Sequence, residues 1–236
     1  MSPLRKESVN MENPQASLQD SVNGRQVTFN WFAPVYSFFT GMLFLLRGVP
    51  EIWFRKKIYQ KFIPRNIQGN LIDICSANGF GTAIIASLFP HLTVKGIDRS
   101  NEMIQIAQKR TEKLPNLSFK KGDCTKIPYP DNHFNICTAF LALHEIPTEK
   151  LPLVLNEIKR ILTPKGYLLV VDFSFKQPFT IVRKILFNFV QLFEDNAAQR
   201  FMLTDMSIVL KKWAFKQIKH GDFLGHVLSG TLYRLT

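Results

Sequence analysis

The sequence predicts an α/β domain built on a parallel sheet with helices on both faces. Short apolar runs at 70–75, 92–97, 117–121, 133–141 and 166–172 read as buried strands. Helical segments follow the first two runs, and at 148–162 Leu151, Leu155, Ile158 and Leu162 recur at helical spacing. Strands and helices that alternate in this way stack as a parallel sheet between helical layers. With 236 residues, 46% of them hydrophobic, the chain can bury a full core.

Taken in order, residues 1–26 are polar, carry Pro3, Pro14 and Gly24, and lack the apolar centre of a signal peptide, so a flexible polar tail is expected. The apolar run Val35 to Leu46 is interrupted by Thr40 and Gly41 and stopped by Arg47. It is short of the ~20 residues that cross a bilayer, so no spanning helix is expected there. Residues 27–66 are rich in aromatic side chains, and from Arg47 to Arg65 six Lys or Arg face Glu51 alone. Residues 67–236 carry the strand–helix alternation.

The first strand, Leu71-Ile72-Asp73-Ile74, runs into Cys75-Ser76-Ala77-Asn78-Gly79-Phe80-Gly81-Thr82. Small residues let the backbone turn sharply and let a ligand approach the main chain. The helix that follows aims its free N–H groups at that ligand. An acidic residue about 20 positions on is expected to hold ribose hydroxyls, and Asp98 closes the next strand at that spacing. The pattern fits an adenosine-type cofactor. Asp73 lies inside the strand and no glycine follows it directly, which departs from the dinucleotide fingerprint and makes a dehydrogenase the weaker reading.

Beyond Asp172 the pattern changes to an aromatic helix at about 178–195, within a helical insertion at about 176–203, then a helix at 204–212. Two runs follow, 214–220 and 226–235, joined by a reversing turn at Gly221-Asp222-Phe223-Leu224-Gly225. Cys75, Cys124 and Cys137 form no CxxC pair, so neither a metal site nor a disulfide framework is suggested, and reduced thiols in a cytoplasmic setting are the simplest account.

Several segments in order resemble the class I S-adenosylmethionine-dependent methyltransferases. Asp73 with the loop to Gly81 is similar to the family's first motif, and Ile97-Asp98-Arg99-Ser100-Asn101-Glu102-Met103 to its second, an acidic residue before a serine-capped helix. Lys121-Gly122-Asp123-Cys124-Thr125 is similar to the third, where an aspartate meets the adenine amine. Glu157 to Tyr167 resembles the helix and turn before the fifth strand. The resemblance covers about residues 28 to 236 and implies a Rossmann-like, doubly wound, seven-stranded, mostly parallel sheet with an antiparallel last strand and an N-terminal helical lid at 27–66. Cys75 and Ala77 stand where the family usually has glycine, which costs about 1–2 kcal/mol wherever positive φ is required.

The resemblance implies S-adenosylmethionine as cofactor and a set of contacts to it. These are Asp73, Cys75, Ser76, Ala77 and Gly79 from the loop, Asp98 and Arg99 at the ribose, Asp123 and Cys124 at the adenine, and Phe140. Asp73 also reads as a buried structural acid and Asp123 as a turn residue. His144 and Glu145, after the fourth strand, are the expected reacting groups, His144 as base and Glu145 orienting it or holding a cationic acceptor. The plainer alternative is a histidine capping the next turn beside a solvated glutamate. Tyr36 resembles a tyrosine that closes over the cofactor in quinone-type members, and Leu143-His144-Glu145 resembles a segment of the ubiquinone and menaquinone methyltransferases.

The net charge of +12, with basic and aromatic residues interleaved, suits peripheral contact with an anionic membrane and a hydrophobic or lipid-linked acceptor. No nucleic-acid module is present in the sequence. A methyltransferase for a small soluble metabolite and a non-catalytic cofactor-binding protein are the competing expectations.

Overall fold

The computed structural model describes residues 50–174, 204–224 and 226–236. The chain divides after Glu51, and nearly all described residues belong to the second unit, Ile52–Thr236. The predicted tail, the run Val35–Leu46, Tyr36, the aromatic segment Pro178–Val190 and the insertion at 176–203 lie outside the described residues. So does the predicted lid up to residue 49.

The elements are α1 (Glu51–Phe62), β1 (Asn70–Ile74), α2 (Phe80–Leu88), β2 (Thr93–Asp98), α3 (Asn101–Thr111), β3 (Leu117–Lys121) and β4 (Phe134–Phe140). A 3-10 turn at Leu143–Glu145 follows, then α4 (Leu151–Ile161), β5 (Leu162–Phe173), α5 (Met206–Lys212), β6 (Phe215–Phe223) and β7 (Leu228–Leu235). Seven strands make one sheet in the order β3-β2-β1-β4-β5-β7-β6. Pairing is parallel from β3 to β5, and β7 runs antiparallel to both of its neighbours. This is the doubly wound sheet with an antiparallel last strand that the sequence predicts.

Burial explains the strand sequences. Leu71, Ile72 and Ile74 of β1 are fully buried, as are Phe134, Ile136 and Cys137 of β4, because helices cover both faces of the sheet centre. Each buried Leu, Ile or Phe side chain among them contributes about 1.5–3 kcal/mol. Helix α4 turns Val154, Leu155, Ile158 and Ile161 into this core. At the start of α3, Ser100 Oγ accepts from Met103 N at 3.2 Å, a cap worth about 1 kcal/mol.

Two boundaries differ from expectation. Leu162, read as the end of a helical stripe, opens β5 opposite Phe134; the register shifts there, and Lys165 turns with φ 64 before regular pairing resumes at Tyr167. The second concerns Gly221. The β6–β7 ladder continues through Gly221↔Gly230 to Phe223↔Leu228, so the reversal lies beyond Phe223. The glycines serve packing. A Cβ on Gly230 would stand 3.1 Å from the Phe62 ring, and one on Gly221 2.9 Å from Lys61 Nζ, so the bare backbone is the bed on which the end of α1 lies. Phe54 and Phe62 of α1 meet the Phe223 ring edge-on at 5.7 and 6.0 Å.

Candidate active site

An open parallel sheet exposes its carboxyl ends to ligands where neighbouring crossovers leave in opposite directions. Here that edge gathers the loop after β1, the end of β2, the corner after β3 and the segment after β4.

The β1 loop turns through residues of positive φ: Cys75 at 53°, Ala77 at 45° and Gly79 at 73°. Two of these three are not glycine, so the loop carries the strain expected for its substitutions. Gly79 is required on both counts, since a Cβ there would also lie 2.6 Å from the Phe119 ring and 2.7 Å from Ala107. Asp73 sits beneath the loop, 4% exposed. Its two oxygens accept from Thr82 Oγ1 and Thr138 Oγ1, each at 2.6 Å. Burial raises the Asp73 pKa above its ordinary value, and the two threonines and Arg55 only partly oppose that. Ser76 is buried, and its Oγ makes no hydrogen bond among the described residues.

Asp98 closes β2 and ties the site together. Its Oδ2 accepts from Ala77 N at 2.8 Å and its Oδ1 from Ser100 N at 2.9 Å, so one carboxylate holds both the loop and the start of α3. Arg99 beside it is exposed and acts electrostatically on Cys124. Asp123 builds a turn, its Oδ1 accepting from Thr125 N and Thr125 Oγ1, both at 2.8 Å. The chain after Asp123 hangs from α4. Arg160 donates to the carbonyls of Ile127 and Tyr129 and to the carboxylates of Asp131 and Glu157, while Glu157 Oε2 accepts from Ile127 N at 2.7 Å. Cys124 and Cys75 both pack on the apolar cluster beneath this edge.

The His144 group lies beyond β4, which ends at Phe140; Leu141 has φ 51 and His144 falls in the 3-10 turn. His144 is 1% exposed, and its Nδ1 lies 2.6 Å from Asp172 Oδ1. Asp172, the last residue but one of β5, is itself buried. Its Oδ1 also accepts from Phe173 N at 2.8 Å, and its Oδ2 from Leu143 N and His144 N at 3.0 and 3.3 Å. The carboxylate thus fixes both the turn and the ring, and favours the tautomer with the proton on Nδ1 and the basic lone pair on Nε2. Glu145 is exposed, and its charge is felt at Cys75. Arg55 of α1 reaches the same edge: its guanidinium carbon stands 3.9 Å above the Phe140 ring, and a Cβ on Gly81 would come within 2.8 Å of its Nη1.

The structure therefore brings Asp73, Cys75, Ser76, Ala77, Gly79, Asp98, Arg99, Asp123, Cys124, Phe140, His144 and Glu145 to one sheet edge; Tyr36 lies outside the described residues. Sequence reasoning passed over Thr82, Thr138, Arg55 and Asp172 as site residues. The signal for Asp172 was there, an acid ending an apolar strand as Asp98 does.

Residues 67–219 match the methyltransferase domain family, and the chain belongs to it. Among curated proteins it is 26% identical to the 2-phytyl-1,4-naphtoquinone methyltransferase of Synechococcus elongatus over 65% of this chain and 64% of that one, so it spans less than two thirds of that relative. It is 24% identical to the demethylmenaquinone methyltransferase of Bacillus licheniformis over 74% of this chain and 82% of that one. Among solved structures, a SAM-dependent methyltransferase from Aquifex aeolicus superposes with a TM-score of 0.59 at 18% identity, covering 77% of this chain and 89% of that one, a likeness of fold.

Proposed function

We propose that this chain is an S-adenosylmethionine-dependent methyltransferase for a hydrophobic, quinone-type acceptor. The observation that carries the cofactor half is Asp98, which ends β2 half-buried with its two oxygens steering the loop and α3. Each oxygen keeps a further lone pair, enough for two vicinal hydroxyls. The residues fit the cofactor: Asp98 at the ribose, the Asp123–Cys124 corner at the adenine, and the Cys75–Gly79 backbone at the amino-acid end. Asp73 holds the loop from beneath. Arg55, a cation over Phe140 near the first turn of α2, suits the cofactor's carboxylate.

Bound S-adenosylmethionine supplies an electrophilic methyl group on a sulfonium. A quinol carbon becomes nucleophilic when its neighbouring hydroxyl loses a proton, and His144 Nε2 is the base. Asp172 holds the ring by Nδ1 and stabilises the imidazolium that forms. The near-complete burial of His144 fits proton transfer with water excluded. A cavity of about 250 Å³ beside this turn, lined by Ile146, Leu151, Leu155, Met206, Val209 and Trp213, suits an apolar acceptor tail.

The names of the relatives support the acceptor class. Peripheral contact with an anionic membrane is part of the same reading. Trp53 and Ile52 of α1 are 63% and 39% exposed beside the exposed Lys56 and Lys57, and no helix among the described residues is long and apolar enough to cross a membrane. The test is single-turnover methyl transfer from labelled S-adenosylmethionine to a reduced naphthoquinone, with and without anionic vesicles. Transfer stimulated by the vesicles is expected. Transfer only to small polar acceptors, indifferent to vesicles, would favour a soluble-metabolite enzyme, and cofactor binding with no transfer to any acceptor would favour a binding protein.

A further inference from the structure

Along α1 the residues Trp53, Lys57 and Lys61 recur at helical spacing and are exposed, each one position before a member of the buried stripe Phe54, Ile58 and Phe62. The last of them reaches the sheet. Lys61 Nζ stands 5.5 Å from the centre of the Phe62 ring and 5.1 Å from that of Phe223, beside the bare backbone of Gly221. Lys219 of β6 meets it there. The ladder shifts register between Gln217 and Lys219, and the bulge leaves Ile218 exposed. The Lys219 ammonium crosses to α1, donates to Lys61 O at 2.7 Å and stands 5.9 Å from the centre of the same Phe62 ring. Two ammonium groups are thus held at one aromatic ring. Neither has an acidic partner among the described residues, and Asp222, the one acid of β6, is engaged by His220 and His226 at 3.2 and 3.1 Å.

We propose that the seam between Lys61 and Lys219 is a seat for the phosphate groups of an anionic phospholipid surface. The seat extends the membrane contact of the proposed function from α1 to the edge strand of the sheet and rests on that contact, though not on the methyl-transfer chemistry. Like charges gathered without a counter-charge repel, and a bound anion offsets that cost. An ammonium already laid on a ring also gives up less rotamer freedom when it binds. After its bond to Lys61 O, Lys219 keeps two N–H donors for phosphate oxygens, and Lys61 offers three. The surroundings select a lipid surface over a soluble anion. Exposed Ile52 and Trp53 lie at the start of the same helix and exposed Ile218 precedes Lys219, so apolar side chains that can enter the headgroup boundary flank the cations that stay at the phosphates.

The test is co-sedimentation of the full-length chain with vesicles of phosphatidylcholine, alone or mixed with phosphatidylglycerol, with S-adenosylmethionine and acceptor absent. The parent should sediment with the mixed vesicles and stay in solution with the neutral ones. Each cation near such a surface is worth about fivefold in partition. Lys61→Gln, whose ammonium bonds no acid in the fold, should therefore weaken binding about fivefold, and Lys61→Gln with Lys219→Gln about 25-fold. Lys61→Arg with Lys219→Arg keeps both charges and should bind as the parent does, which separates lost charge from a disturbed α1. The control is Lys159→Gln on α4. That helix joins the cluster of Tyr233 and Leu235 on the face of β7 opposite Gly230 and α1, so the loss there should be less than about twofold. Equal losses from Lys61→Gln and Lys159→Gln would show net charge at work and overturn the seat while leaving the membrane contact standing. Release of the parent from the vesicles by millimolar glycerol phosphate would assign the seam to soluble anions and overturn the lipid. A parent that sediments with neither kind of vesicle would overturn the seat and the membrane contact together, leaving methyl transfer to its own assay.

Discussion

Replacing Asp98 with alanine removes two hydrogen bonds within the fold and, by the proposed function, the partner of two cofactor hydroxyls. The bonds to Ala77 N and Ser100 N are 2.8 and 2.9 Å long and end on a charged acceptor. Such bonds contribute about 1.5–3 kcal/mol each when buried, but Ala77 is exposed, so the stability cost of Asp98→Ala should be about 1.5–3 kcal/mol in total rather than twice that. The lost ribose contacts should weaken S-adenosylmethionine by a similar energy, about ten- to 150-fold. Urea unfolding reads the first quantity and titration calorimetry the second. The two separate with a cofactor analogue that lacks the vicinal hydroxyls. The parent should bind it weakly, and Asp98→Ala should weaken it little further. If the variant weakens analogue and cofactor by the same factor, Asp98 only props the loop; if it binds S-adenosylmethionine as the parent does, the carboxylate takes no part in binding.

Other outcomes follow from the same geometry. Ala77→Gly should relieve the strain at φ 45°, worth about 1–2 kcal/mol, against about 0.5–1 kcal/mol of added chain entropy, and so raise the urea midpoint; a lower midpoint would show that the loop is not strained there. Because burial raises the Asp73 pKa, the native state binds that proton more tightly than the unfolded chain. Its contribution is full below the ordinary carboxylate value of 3.8 and is lost as pH rises through the higher folded value. Relative to Asp73→Asn, the parent should therefore lose stability as pH rises above about 4, and a pH-independent difference in unfolding free energy would contradict the burial argument. Asp172→Asn should lower single-turnover rates on the order of 10²- to 10⁴-fold while leaving calorimetric cofactor affinity in place, and an equal loss in both would mark Asp172 as purely structural.

How much of this was legible in the sequence depended on whether the information was local. The strands of the sheet centre show as continuous apolar runs because they are buried on two faces, and α4 shows as a helical stripe because it is buried on one. The loop from Cys75 to Gly81 and the acid at Asp98 were visible through residue type and spacing. Thr138 was not, because its value comes from register: it lies directly opposite Asp73 in the β1–β4 pair. Gly221 reads as a turn because a glycine that makes room for a side chain on another element, here Lys61, looks the same in one dimension as a glycine that bends the chain.

The Arg160 fork has a consequence for building with this fold. The corner after β3 belongs, mechanically, to α4: one guanidinium holds Ile127, Tyr129, Asp131 and Glu157 at once. A chimera that imports the corner from a relative to change cofactor preference must bring the facing turn of α4 with it. Lysine at 160 would be no substitute, since a single ammonium cannot span two carbonyls and two carboxylates in one plane. The unit of exchange is thus a pair of segments some thirty residues apart.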